Sequence, residues 1–286
     1  MKLKSNEFGN TGIQVTRLGY GAMELREASE DLADNLLNLV LDSGINFIDT
    51  SIDYGDSEKL IGKFISHRRS EFFLASKCGC PIDAGKDHIF TKENISNGIN
   101  QSLKLLKTDY LDLVQLHNPT KNVVEENDVI ETLLEIKKEG KVRFIGTSSV
   151  LPALSDHINM NVFDAFQIPY SALNREHEDL ITSASKSGAG TIIRGGVSKG
   201  EFGKNREWDN FSKSNLDDLL DEGESRTSFL LRFTLSHPEL NTTIVGTKNS
   251  EHFKENIKTA SKGVLPANIY EEAKKRLTLS GVSPAN

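Results

Sequence analysis

The 286-residue sequence predicts a (β/α)8 barrel preceded by a β-hairpin, on three observations. Eight short runs rich in β-branched residues recur along the chain. Longer amphipathic segments separate them, and no Pro- or Ser-rich linker interrupts the alternation. Strand and helix in repeated alternation imply parallel pairing through right-handed crossovers, and eight such units close on themselves. The length would allow two domains, but barrels of about 250 residues fold as one, so a single domain over 1–286 is expected.

The elements follow in order. Residues 4–18, KSNEFGNTGIQVTRL, read as a hairpin around the turn GNTG, placed to cover the barrel floor. The eight runs are VTRLGYG (15–21), INFID (45–49), EFFLASK (71–77), YLDLVQLH (110–117), VRFIGTS (142–148), VFDAFQI (162–168), GTIIRGG (190–196) and TTIVGT (242–247). Helical spacing appears between them: Leu32, Leu36, Leu37, Val40 and Leu41 recur at steps of three and four. NGINQSLKLLKTD is a second such segment. NDVIETLLEIKKEG is a third, closed by Gly140 after a lysine-rich turn as a helix C-terminus favours. The longest irregular stretch is expected at 195–223, after the seventh barrel strand, where barrels keep functional loops. Trp208 within it has two open readings, pocket lining and ordinary packing.

Composition narrows the function. Hydrophobic content of 37% with 26% charged residues suits a globular chain with a large core. A net charge of −7 argues against nucleic acid and against an anionic membrane surface. No apolar run reaches signal-peptide or membrane-span length, which makes the cytoplasm the default expectation. Cys78 and Cys80 form C-G-C, too close for an ordinary disulfide and without the histidine spacing of a zinc site, so no metal is expected. GYGAME (19–24) misses the third glycine of a dinucleotide fingerprint, Tyr270 to Lys274 copies a Tyr-x-x-x-Lys spacing on the last helix, and GGVSKG lacks a P-loop ending. None of the three has the required structural context.

A barrel places catalytic groups at the C-terminal ends of its strands. The second barrel run ends in Asp49, with Tyr54 five residues on. The third ends in Lys77 and the fourth in His117. Each alone has an ordinary reading as a turn cap, a packed ring, a solvated amine or a core imidazole. Four ionisable groups on three neighbouring strand ends converge on one mouth.

At these residues the chain resembles the aldo-keto reductases, and particularly bacterial members with short loops. The resemblance covers nearly the whole chain. FGNTGIQVTRLGYGAM matches the family's opening hairpin and first strand, and NFIDTSIDYGDSEKLIG its D-T-x-x-x-Y-G-x-S-E signature. LASKCG and DYLDLVQLHNP match the lysine and histidine strands, GKVRFIGTSS and FQIPYSALNRE the fifth and sixth, and IVGTKNSEHFKEN the cofactor segment.

The resemblance implies NADP(H)-dependent reduction of an aldehyde or ketone by a tetrad of Asp49, Tyr54, Lys77 and His117. Tyr54 would supply the proton, Lys77 would lower its pKa from about 10 toward the working range, Asp49 would hold Lys77, and His117 would orient the carbonyl. It also implies a cofactor site. Gly21, Ala22 and Met23 end the first barrel strand; Ser148, Ser149 and Gln167 take the carboxamide positions, with Ser149 where asparagine is usual. Arg194, at a position often aromatic, is open to stacking on the nicotinamide, to pairing with the pyrophosphate or to a salt bridge at the rim. Gly195, Gly196 and Val197 allow close backbone approach. Gly246, Thr247, Lys248, Asn249, Ser250, His252, Glu255 and Asn256 form the adenosine segment at a helix start. Gly246 and His252 replace the usual lysine and arginine, so Lys248 is the one cation for a 2′-phosphate. NADP(H) is expected over NAD(H) on that residue.

Met23, the segment near Asn118, Trp208 and the tail from Thr278 on, TLSGVSPAN, are expected to border the pocket for a small-molecule carbonyl. A rival reading is an NADP(H)-binding redox-sensor barrel without fast turnover. The lack of an added N-terminal extension favours the enzyme.

Overall fold

The computed structural model describes residues 3–81, 87–200 and 206–285. Among the described residues, ten strands form a two-stranded antiparallel ribbon and a closed eight-stranded barrel. The ribbon pairs β1 (Ser5–Glu7) with β2 (Gln14–Thr16). The barrel runs in chain order through β3 (Leu18–Gly21), β4 (Phe47–Asp49), β5 (Phe73–Cys78), β6 (Leu111–His117), β7 (Val142–Ser148), β8 (Ala165–Pro169), β9 (Gly190–Arg194) and β10 (Thr242–Val245), which returns to β3. Every barrel pair is parallel. All eight expected runs are strands. The first splits, because residues 14–16 belong to the ribbon and only Leu18 onward joins the barrel.

Helices cross back between the strands; most bury one apolar stripe, whereas Arg226–Leu235 is buried all round from Phe229 to Leu235. Helix Glu30–Asp42 buries Ala33, Leu36, Leu37, Val40 and Leu41, and the Ser29 hydroxyl accepts from Leu32 N at its start. Helix Val129–Lys138 is followed by Gly140 at φ +79°. The stretch after β9 is more ordered than its sequence suggests. Among its described residues are 3₁₀ turns at Arg206–Trp208 and Leu216–Leu219 around a short helix, Asp209–Lys213, while 201–205 lie outside the described residues. Trp208 takes the packing reading: it is buried, stacks on Phe211 at 6.0 Å and donates its indole N–H to Ser198 O at 3.2 Å.

The ribbon plugs the floor. Phe8 is fully buried between Phe47 and Phe73, with ring centroids at 5.8 and 5.2 Å, inside a small core that also holds Val15, Leu113, Ala165 and Ile192. A side chain on Gly190 would meet the Phe8 ring at 2.5 Å, so the plug needs glycine there. With the floor sealed, the strand C-termini form the open end.

Candidate active site

Register decides which side chains share a level at that open end. Asp49 pairs with Gly21 and Ala75, Lys77 with Gln115, and His117 with Ser148, which pairs with Gln167. The three levels rise from the barrel core to its mouth.

Asp49 and Lys77 form the lowest part. Lys77 Nζ donates to Asp49 Oδ2 at 2.7 Å and to Thr50 O at 2.9 Å. Their side chains are 0% and 3% exposed, so solvent does not screen the pair. Asp49 Oδ1 accepts from the Nε2 of both Gln115 and Gln167, each at 2.8 Å. Three donors from three other strands therefore surround this carboxylate, and Thr50 O in the following loop accepts from its lysine, as buried charges require. Burial lowers the Lys77 pKa, but Asp49 and Tyr54 outweigh it and hold the ammonium above its ordinary value.

Tyr54 stands above this pair, its ring 4.8 Å from Lys77 Nζ and 5.7 Å from the Arg26 guanidinium carbon. The turn that presents it needs Gly55: φ there is +52°, and an added Cβ would lie 2.9 Å from Arg26 O. The rest of the D-T-x-x-x-Y-G-x-S-E stretch supports it. Ser57 Oγ donates to Ala22 O and lies 2.9 Å from Thr50 Oγ1, tying the ends of β3 and β4 together. The buried Glu58 accepts from Ser76 Oγ at 2.6 Å, beneath the lysine strand.

One expectation is corrected here. Lys77 does act to lower the Tyr54 pKa, but burial of the phenol outweighs it, and the net shift is upward. Desolvation penalises a phenolate more than one shared ammonium favours it.

His117 completes the convergence, its ring 6.5 Å from that of Tyr54 and edge-on to it. Its Nδ1 faces Cys80 Sγ and His88 Nε2, both at 3.0 Å, and Asp53 Oδ2 at 3.5 Å. Burial pushes the Cys80 thiol up to about 12. His88 and His117 come close to Cys80 through the fold rather than through sequence spacing. Gln115 was missed; it shares the inward face of β6 with His117, two residues on, which strand alternation reveals.

The expected cofactor residues ring the same mouth. Ser148 Oγ donates to Gln167 Oε1 at 3.2 Å, and Ser149 Oγ lies 3.2 Å from His157 Nδ1, so both already have partners within the protein. Arg194 ends β9; burial lowers its pKa while Tyr54 and Asp49 act the other way, so its charge faces the site. Among the described residues it forms no salt bridge at the rim. Gly195 has φ +75° with open space around an added Cβ, and Val197 packs partly buried against the core. Gly21 and Gly246 bring bare backbone together: a Cβ on Gly246 would meet Gly21 O at 2.7 Å. Helix Ser250–Lys262 begins where expected. Asn249 Oδ1 accepts from the backbone N–H groups of Glu251 and His252, and Thr247 Oγ1 accepts from Asn249 N. Lys248 and His252 are exposed beside this start, while Glu255 accepts from Ser225 Oγ at 3.1 Å. Arg194 and Lys248, which have no carboxylate partner among the described residues, and the bare glycine edges of Gly21, Gly195 and Gly246 fit an elongated anionic group such as a dinucleotide.

The Aldo/keto reductase family model matches residues 17–276. The chain belongs to the aldo/keto reductase family. Among curated members of this family of oxidoreductases, it is 28% identical over 284 residues to the uncharacterized oxidoreductase YqkF of Bacillus subtilis, covering 91% of this chain and 92% of that one. It is 27% identical over 282 residues to the L-galactose dehydrogenase of Arabidopsis thaliana, covering 90% and 88%. The solved holo form of the aldo-keto reductase AKR11C1 from Bacillus halodurans superimposes with a TM-score of 0.86 at 26% identity, covering 96% of each chain.

Two further observations bear on the surroundings. No described helix is long and apolar enough to cross a membrane. The tail is tied to the turn after β8, where Arg175 Nη1 donates to Val282 O and Ala285 N to Glu176 O.

Proposed function

We propose that this protein is an NADP(H)-dependent oxidoreductase that reduces an aldehyde or ketone to an alcohol. The observation that carries the reading is the buried Asp49–Lys77 pair beneath the Tyr54 ring, at the open end of a barrel of this family. A nicotinamide, when bound, supplies the hydride that no side chain can.

The chain's own residues handle the proton and the alignment. Burial keeps Tyr54 protonated at neutral pH, the state an acid must hold before reaction. As its proton passes from Oη to the carbonyl oxygen, negative charge develops beside Lys77 Nζ, whose attraction is strongest at that moment. Asp49 keeps Lys77 charged and in place. His117 donates from Nε2 to the same oxygen and sets its angle, leaving Nδ1 to the polar cluster behind it. Among the described residues Gln167 Oε1 accepts from Ser148 alone, and a carbonyl oxygen has two lone pairs, so a second lone pair remains for a carboxamide N–H. Ser148, Ser149 and Gln167 are assigned to that carboxamide. Gly21, Ala22, Met23 and Arg194 through Val197 are assigned to the middle of the cofactor. Gly246 through Ser250, His252, Glu255 and Asn256 take the adenosine half. Met23 and Asn118, both exposed at the mouth, border the substrate.

Separate titrations with NADPH and NADH, read by Trp208 fluorescence or heat, test the cofactor. Micromolar NADPH with much weaker NADH is expected. An aldehyde screen follows, with Tyr54→Phe expected to lower kcat by about 10²- to 10⁴-fold while NADPH still binds. Failure of both cofactors to bind overturns the proposal. Tight NADPH binding without turnover of any carbonyl moves it to the redox-sensor reading.

A further inference from the structure

Behind the tetrad lies a second cluster with a different chemistry. Asp53 follows β4, Cys80 and His88 lie on the segment after β5, and His117 ends β6. One ligand atom from each lies within 4.8 Å of all the others. His117 Nδ1 is the hub, 3.0 Å from Cys80 Sγ, 3.0 Å from His88 Nε2 and 3.5 Å from Asp53 Oδ2. His88 Nε2 stands 3.8 Å from Asp53 Oδ2. Ligands held about 2.0–2.3 Å from a tetrahedral zinc lie roughly 3.3–3.8 Å from one another. The four separations bracket that spacing.

Hydrogen bonding alone leaves this arrangement unsatisfied. A ring nitrogen carries at most one hydrogen or one lone pair. His117 Nδ1 therefore serves one of its three neighbours well and not the other two. Asp53 Oδ1 is buried with no hydrogen-bond partner among the described residues. Cys80 is buried at the base of the cluster, and His88 stands on its outer side, 35% exposed, so an ion has a way in.

We propose that Asp53, Cys80, His88 and His117 bind a divalent transition ion of the zinc class. One thiolate, two imidazoles and one carboxylate suit zinc, whereas magnesium and calcium require oxygen ligands. On binding, the S–H bond of Cys80 is replaced by an S–metal bond and the proton leaves to solvent. Ligation through Nδ1 leaves the ring hydrogen of His117 on Nε2. The metal site stands on its own geometry; its consequence for turnover rests on the reductase reading, where that Nε2–H becomes a fixed donor to the carbonyl.

The test uses the full chain, treated with chelator and then titrated calorimetrically with Zn(II) alone, beside Cys80→Ser and His88→Ala. One ion per chain at micromolar affinity or tighter is expected, weakened at least about tenfold in each variant. Co(II) in place of Zn(II) is expected to show tetrahedral visible bands and a thiolate-to-cobalt band in the near ultraviolet, the latter lost in Cys80→Ser. Circular dichroism of each variant separates lost binding from lost fold, and the partly exposed His88→Ala remains informative if Cys80→Ser does not fold. Zinc binding that is unchanged in both variants, or no binding at all, overturns the proposal. Since neither readout uses NADPH or turnover, failure of the reductase reading is recognisable separately.

Discussion

Asp49 accepts side-chain hydrogen bonds from three other strands: Lys77 on β5, Gln115 on β6 and Gln167 on β8. Removing the lysine leaves a buried carboxylate with amide donors but no countercharge. Lys77→Met is therefore expected to destabilise the fold by about 3–5 kcal/mol as well as abolish turnover, which urea denaturation beside an activity assay checks. Lys248 is the opposite case, an exposed cation with no carboxylate partner among the described residues. Lys248→Ala should leave stability within about 0.5 kcal/mol. If it meets a 2′-phosphate, the same change weakens NADPH by roughly 10- to 100-fold and leaves NADH unaffected, since a charge-assisted hydrogen bond contributes about 1.5–3 kcal/mol. Parallel titrations of the variant with both cofactors read that difference directly.

Among the elements, the ribbon and the mouth show how strand register and turn chemistry divide the labour. β1 and β2 add nothing to the barrel ladder, yet the turn between them drives Phe8 into the floor against Phe47 and Phe73. Phe8→Ala empties a fully buried ring site, and a loss of about 3–5 kcal/mol is expected, measurable by chemical denaturation. Because the plug lies at the end opposite the tetrad, NADPH affinity of the folded variant should match that of the unaltered protein. At the mouth, the turns after β4 and β5 bend on Gly55 at φ +52° and Gly79 at φ +81°, and a Cβ on Gly79 would lie 2.1 Å from the Phe90 ring. These turns set Tyr54 above Lys77 and Cys80 beside His117. Their consequences were invisible in the spacing of residues, because they depend on where β4, β5 and β6 stand relative to one another.

For the whole molecule, Glu58 links the site's foundation to pH. Burial pushes its carboxyl up to about 7, against the pull of Ser76, Ser102 and Lys77. The folded state thus holds this proton more tightly than the unfolded chain, whose carboxyl titrates near 4.5. The sign follows: the contribution of Glu58 to stability is full below about pH 4.5, declines between there and about pH 7, and is lost above. Glu58→Gln removes this slope, so the variant should gain on the order of 3 kcal/mol relative to the unaltered protein at pH 8 compared with pH 4. Melting curves across that range check it, and a parallel pH dependence of both proteins would refute it.

The sequence by itself determined the alternation that makes a barrel, because periodicity of two and of 3.6 is a local property of side-chain placement. It also determined that Asp49 and His117 end strands, that Lys77 stands one residue short of a strand end and that Tyr54 follows one, since strand ends are marked by where apolar runs stop. Helix starts such as Asn249–Ser250 were legible for the same local reason. Only the tertiary structure decided which of these groups meet at bonding distance. Gln115 and Gln167 reached the Asp49 carboxylate through barrel register, a relation between residues 66 and 118 positions from it. The upward shift of Tyr54 came from burial, which is a property of everything packed around the ring rather than of its neighbour Lys77 alone. The meeting of Asp53, Cys80, His88 and His117 has the same origin: residues that follow two adjacent parallel strands meet the end of the third, side chains that no spacing in the chain connects.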